Sequence, residues 1–529
     1  MLDYRIENAL LIDGSGRPGI PGSLGVKNGK IAALGRLDGE TTAQRIDAKG
    51  RCLTPGFLDI HRHADAALFR PGFGRAELAQ GLTTIVNGNC GLSLAPAPCV
   101  RRREIYGYLE PVTGLPDDAL ATDTMAAYLD AVSKTPLPIH IGMLAGGGTV
   151  RTAAYGFAPG PLAPEALREV HRLLDESLSG GALGISLGLG YAPECFYTTE
   201  ELIRALAPLQ NSGIPITVHM RQEGSGVVGA LQEMIAVARA LRTPVEISHL
   251  KSIGKANWRS CTPEMLRLMA EARQEGVRIA CDVYPYTAGS TQLVHVLPPE
   301  TQQGGMEALT EHLADPAFRE TLKARMLTGS DFENISLLAG FENIVVSSVR
   351  LDGLRQYEGQ SIAQIAEQQG KDPFTCLFDL LQAAHCDVTM IDFIAAEDDI
   401  CDILRDAHSC VISDSTYPTT GMLHPRVYGT YTTLLEHFVR EKQVLSLEAA
   451  VHKVTGRPAT VMGLRTKGVL AQGMDADINI FDPAQIHTRA TYQDPAQFSD
   501  GLDTVFVSGQ PAILHGALTG RKDGTVLTR

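Results

Sequence analysis

Basic residues are in deficit in this chain of 529 residues. Its 46 lysines and arginines are outnumbered by 60 aspartates and glutamates, for a net charge of −14 and a pI near 5.5. A chain this acidic is repelled by phosphate backbones and anionic bilayers. That argues against nucleic-acid and membrane partners and suits a small-molecule enzyme. No apolar run is long enough to cross a bilayer, and the opening Met1-Leu2-Asp3-Tyr4-Arg5 lacks the charged-then-apolar layout of a signal peptide. Cysteine is sparse as well: ten residues lie scattered singly, with no CxxC pair and no dense framework. This pattern predicts buried free thiols in a reducing cytoplasm. Internal repeats and low-complexity segments are missing too.

What the chain does have is alternation. From 55 to 465, apolar strand-like runs alternate with helical patterns, the signature of β/α units. The runs end at His63, Asn87, Met143, Ser186, His219, His249, Tyr284 and Asp414. Eight of them predict an α/β fold, a TIM-like (β/α)8 barrel. The stretch from about 292 to 385 is too long for one strand-to-helix connection and is expected to be an inserted subdomain before the last barrel strand. Residues 1–54 and 466–529 read as short strands with turn punctuation, and Asn28-Gly29 is a hairpin signal. Two half-sized β segments at opposite ends predict one small β-sandwich completed by both termini.

Residues with chemistry sit at the strand ends. In Thr54–His63 an apolar run leaves a Pro-Gly turn and ends on His61 and His63. Residues two apart on an extended strand point to the same side, so both imidazoles can reach one metal ion. His219 and His249 each close a strand of their own. Zinc favours imidazole and thiolate in sets of three or four, with one position left open in catalytic sites. Cys90, in Gly88-Asn89-Cys90-Gly91, lies just past the second strand; alone it reads as a buried thiol in a glycine-rich turn. Asp414 ends the last strand, and alone it reads as a helix N-cap. His452 lies mid-helix, far from the strand ends, and is given no ligand role.

Asp59-Ile60-His61-Arg62-His63 near the N-terminus resembles the metal-dependent amidohydrolase superfamily. Gly-Asn-Cys-Gly at 88–91, with His219-Met220-Arg221 and Ser248-His249-Leu250-Lys251, is similar to its N-acyl-D-amino-acid deacylases, the D-aminoacylase family. The resemblance covers essentially the whole chain, including a helix at 445–454 and a turn at 455–459 that amidohydrolases share broadly. It implies zinc-dependent hydrolysis of the acyl amide of N-acyl-D-amino acids. It implies a tight zinc site of Cys90, His219 and His249, and a second, weaker site in which His61 and His63 share the cysteine. Asp414 is then the general base. Lys251, Tyr284, Ser290 and Arg426 are the implied set for the substrate α-carboxylate, where an arginine fork fits two oxygens at once. Ser415 stands where the family commonly has glycine, and its side chain is expected to narrow the mouth. His295 is expected near the side-chain pocket, where a member specialised for acidic side chains would offer arginine; the reading leans to neutral side chains.

Two other readings stay open. One is a cyclic-amide hydrolase of the hydantoinase or dihydroorotase type. The absence of lysine from the fourth-strand region Gly181–Tyr191 counts against it, since many amidohydrolases carry a metal-bridging carboxylated lysine there. The other is a catalytically inactive amidohydrolase-like assembly protein, which has no need of an intact ligand set.

Overall fold

The computed structural model describes residues 1–37 and 39–529. Eight parallel strands form its centre: β1 Phe57–Asp59, β2 Leu82–Asn87, β3 His140–Gly146, β4 Gly184–Gly188, β5 Ile216–His219, β6 Val245–Ile247, β7 Ile279–Val283 and β8 Ser409–Val411. They are hydrogen-bonded in chain order, with Val218 of β5 set between Leu187 of β4 and Ile247 of β6. Alternation along each strand divides the residues between two cores. Ile216, Val218, Val245 and Ile247 pack with helix residues Leu231, Met234 and Met265. Ile60, Val86, Leu144, Cys410 and Ile412 form a separate cluster that fills the barrel.

No strand ladder joins β1 to β8 among the described residues. The barrel closes one step higher, where Asp414 N–H donates to His61 O at 2.9 Å and His63 N–H donates to Ser415 O at 3.0 Å. The segments that close it are therefore the ones carrying His61, His63 and Asp414. Between the two histidines, Arg62 is fully buried and points away, toward Glu77 at 3.3 Å and Ser415 Oγ at 3.2 Å.

Between β7 and β8 the chain builds a second sheet, with Ala288–Gln292 and Ile344–Val349 flanking Val388–Phe393 in antiparallel register. It has its own core around Leu293, Val346, Leu377 and Met390. This sheet reaches a few residues beyond 292–385 on both sides. Its first strand, Ala-Gly-Ser-Thr-Gln, is too polar to announce itself as a strand in the sequence.

Strands from both termini join in one nine-stranded sheet, with Cys52–Pro55 pairing antiparallel to Ile478–Phe481. The sheet curls over its own core, so that Tyr4 meets Phe506 edge-on at 5.2 Å. The Asn28-Gly29 hairpin is present, with both residues at positive φ (50° and 74°) as a type I′ turn requires. Buried Asp477 pins this sheet to the barrel, accepting from His140 Nε2 on β3 at 3.0 Å and from Lys467 Nζ at 2.6 Å. The helix expected at 445–454 runs Leu447–Val454, capped by the Ser446 side chain on Ala449 N–H. The turn expected after it is reduced to Thr455, because a second helix, Gly456–Met462, begins at once. No helix among the described residues is long and apolar enough to cross a membrane.

Candidate metal centre and its cavity

The C-terminal ends of the barrel strands and the loops beside them bring together all ten site residues named from the sequence, on one cavity and the layer immediately around it. His61, His63, Cys90 and Asp414 place one ligand atom each within 4.8 Å of one another, and Cys90, His219 and His249 do the same. His61 Nε2 lies 3.2 Å from Cys90 Sγ, and His249 Nε2 lies 3.4 Å from it on the other side. His63 Nε2 is 3.2 Å from Asp414 Oδ1. Two donor groups thus meet at one sulfur.

The turn that holds Cys90 is built by its neighbours. Asn89 donates to Ile60 O and Val86 O, both at 3.1 Å, and accepts from Thr217 Oγ1 at 3.2 Å. On β4, Ser186 donates to Gly88 O at 2.5 Å and accepts from Gly91 N–H at 3.0 Å. This small hydroxyl braces the cysteine turn from the strand on which other amidohydrolases would carry a lysine. Cys90, His249 and Asp414 all sit at positive φ (53°, 36° and 51°). Left-handed backbone at residues with a Cβ is strained and concentrates at functional sites. Here it turns three reactive groups inward from the ends of β2, β6 and β8.

Burial alone would push the Cys90 thiol up, but His61 and His249, with hydrogen bonds from His219 and His249, hold it well below its ordinary value. Asp414 behaves alike: burial opposes ionisation, and Arg426, His61 and His63 hold its carboxyl well below the usual range. A thiolate flanked by imidazoles is the donor chemistry of zinc.

Three residues that the sequence reading did not single out orient this set. Glu223 accepts from His249 Nδ1 at 2.9 Å, which leaves Nε2 for a metal, and its other oxygen accepts from Lys251 Nζ at 2.7 Å. Asp282 accepts the His249 backbone N–H and lies 3.7 Å from His61 Nδ1. The Tyr191 hydroxyl is 3.1 Å from His219 Nδ1. The Glu223 and Asp282 contacts are carboxylate-to-histidine contacts of the kind that fix ring orientation and tautomer in metal sites. For the two carboxylates the signal was positional: Glu223 follows β5 by four residues, and Asp282 is the one charged residue within β7, Ile279–Val283.

Arg426 is fully buried at the start of the helix Arg426–Thr433. Its Nη1 lies 3.0 Å from Asp414 Oδ2, and its Nη2 donates to Ser290 O at 3.0 Å. Nε and Nη1 have no hydrogen-bond partner among the described residues. The guanidinium lies 5.1 Å from the Tyr284 ring centre, and Lys251 Nζ lies 5.7 Å from the same ring. Buried, unsatisfied donors beside Lys251, Tyr284 and Ser290 suit a planar anion such as a carboxylate.

One expectation changes and another holds. Ser415 does not narrow the mouth, because its hydroxyl donates to Ser413 Oγ at 2.7 Å in the layer beneath, while Thr416 lines the cavity. His295 does reach the cavity, but stacked on Tyr191 at 4.1 Å. Burial and neighbouring His219 depress its value to about 3, so it stays neutral. His452 is remote from the site, with Nδ1 hydrogen-bonded to Gly14 O at 2.7 Å.

With the geometry in view, comparison with known proteins is decisive for the family. The amidohydrolase family model matches residues 44–513. A D-aminoacylase of Alcaligenes xylosoxydans xylosoxydans is 32% identical over 528 residues, covering 100% of this chain and 98% of that protein. An N-acyl-D-aspartate deacylase of the same organism is 33% identical, covering 99% of this chain and 95% of that one. The crystal structure of an N-acyl-D-glutamate deacylase from Bordetella bronchiseptica, complexed with zinc and a phosphonate mimic of the tetrahedral intermediate, superposes with a TM-score of 0.84 at 29% identity and full coverage of both chains. The chain therefore belongs to the amidohydrolase family, and within it to the D-aminoacylases.

Proposed function

We propose that the protein is a zinc-dependent N-acyl-D-amino-acid deacylase, hydrolysing the acyl amide to a carboxylate and a free D-amino acid. The observation that carries this reading is the convergence of a thiolate–imidazole set and Asp414 on one cavity, with buried Arg426 directly behind Asp414 at 3.0 Å. The donors fit zinc, with Cys90, His219 and His249 as the tight set and His61 and His63 sharing Cys90 in a second one. Bound zinc would supply Lewis acidity and lower the pKa of a water molecule.

The protein's own groups do the rest. Asp414 takes the proton of the attacking water and delivers it to the departing amine. Arg426 receives the α-carboxylate, with Lys251, Tyr284 and Ser290 completing the clamp. With carboxylate and carbonyl both held, only one enantiomer places its side chain in free space. Glu223 ties the two halves together, since it contacts both His249 and Lys251. The ten free thiols support the reading of a reducing cytoplasm as the protein's location.

A cyclic-amide hydrolase is less well supported, because Ser186 rather than a bridging lysine faces the site from β4. The test is release of free amine from N-acetyl-D-methionine by the zinc-loaded protein, beside N-acetyl-L-methionine and dihydrouracil. Turnover of the D compound alone supports the proposal. Preferential ring opening of dihydrouracil, or no turnover with zinc bound, would remove it.

A further inference from the structure

The inserted subdomain contributes an acidic wall to the cavity that no role above uses. Glu333 and Asp392 line it, with Ile253, Ile335 and Ile394 beside them. One Glu333 oxygen accepts the Glu223 backbone N–H at 2.5 Å, and no hydrogen bond from the described residues reaches the other. Asp392 is 2% exposed, and its Oδ1 has no hydrogen-bond partner among the described residues. Gly289 helps to leave it open: a Cβ there would meet Asp392 Oδ1 at 2.8 Å and the Tyr284 hydroxyl at 3.4 Å. Lys251 is the one lysine or arginine among the lining residues, and it is already engaged with Glu223. Desolvation and the neighbouring Glu223 charge push Glu333 up to about 8. Burial pushes Asp392 up to about 6, against the pull of Lys251 and Arg426. Among the described residues, neither carboxyl is hydrogen-bonded or ion-paired to a lysine or arginine, and the pull of Lys251 and Arg426 does not offset burial.

We infer that the preferred substrates are N-acyl-D-amino acids whose side chain ends in a cation, an ammonium or a guanidinium. The inference rests on the deacylase reading and names its substrate class. The aliphatic stem of such a side chain lies against Ile253, Ile335 and Ile394 while its charged end reaches Glu333 and Asp392, the usual division of an amphipathic side chain. An acidic side chain brings a further negative charge against carboxyls that burial already makes reluctant to ionise, and offers neither of them a cation. An apolar side chain of equal length covers the two carboxyls without giving either a partner, which is costly for buried polar groups. This departs from the neutral preference suggested by His295. That histidine is packed on Tyr191, and nothing local in the chain announces that Glu333 and Asp392, some 40 and 100 residues downstream, share its cavity.

The decisive comparison is kcat/KM for N-acetyl-D-lysine, N-acetyl-D-norleucine and N-acetyl-D-glutamate on the zinc-loaded full chain. Lysine and norleucine differ only in the terminal ammonium. The expected result is a preference for lysine over norleucine of roughly tenfold or more, from one charge-assisted contact, with glutamate below both. Glu333→Gln keeps an oxygen for the Glu223 N–H and removes the group that can ionise against a bound cation. It should cut the lysine-to-norleucine ratio about tenfold, mainly through KM for the lysine substrate. A wild-type ratio at or below one overturns the inference and leaves the deacylase reading standing. A ratio that Glu333→Gln does not move overturns the assignment to this wall. If zinc is bound and no D substrate is turned over, both readings fall.

Discussion

Replacing Arg426 by methionine tests the clamp most directly. The guanidinium is completely buried, sets Nη1 3.0 Å from Asp414 Oδ2 and donates from Nη2 to Ser290 O at 3.0 Å, while Nε has no hydrogen-bond partner among the described residues. A carboxylate held by these donors has charge-assisted bonds worth about 1.5–3 kcal/mol each. Losing two, with part of the loss recovered by Lys251, amounts to about 3–4 kcal/mol, or roughly 10²–10³ in kcat/KM. Arg426 also partners Asp414, so a loss of kcat alone does not report on the clamp. The assay therefore compares N-acetyl-D-methionine with its carboxamide on both proteins, with bound zinc measured alongside. Damage to Asp414 lowers both substrates together, whereas the acid-to-amide ratio isolates the carboxylate contact. The acid should lose roughly 10²–10³ and the amide about tenfold or less, and the preference for D over L should weaken. An unchanged acid-to-amide ratio with unchanged enantiomer preference would refute the clamp and move the anion site elsewhere.

Cys90 is shared by both donor groups, so Cys90→Ala should lose zinc and activity together, while alanine at any other cysteine should leave the zinc content intact. Asp414→Asn keeps the shape but cannot accept a proton; zinc should remain and kcat should fall by roughly two or more orders of magnitude. Glu223→Gln weakens the carboxylate behind His249 and should lower zinc affinity about 10–100-fold, read by competition with a chelator. For stability, Asp477→Asn breaks a buried cluster with His140 and Lys467 and should cost about 3 kcal/mol or more in denaturant unfolding at neutral pH. Burial opposes the Asp477 charge, but His140 and Lys467 hold its carboxyl well below the ordinary range. Its contribution is therefore complete above pH ~4 and is lost as the pH falls from there, so wild type and variant should converge in acid.

The barrel was legible because its signal is local. Apolar runs alternating with helical patterns need no knowledge of distant contacts, and most observed strands lie within two or three residues of the runs that announced them. His61 and His63 were legible for the same reason: a two-residue spacing on extended chain sets a common side, and Arg62 between them points the other way. His219 and His249 stood out by ending apolar runs. Glu223, Glu333 and Asp392 did not, because in a sequence a carboxylate in a polar loop or strand looks like any solvated charge. Only the fold, by returning the inserted subdomain over the mouth and setting β5 beside β6, makes one of them the partner of a histidine and turns the other two into a cavity wall. The strain at Cys90, His249 and Asp414, the direction of Ser415 and the burial of Arg426 were decided in the same way. Side-chain type and spacing are properties of the chain, whereas left-handed backbone, desolvation and hydrogen-bond partners arise when strands distant in sequence close on one another.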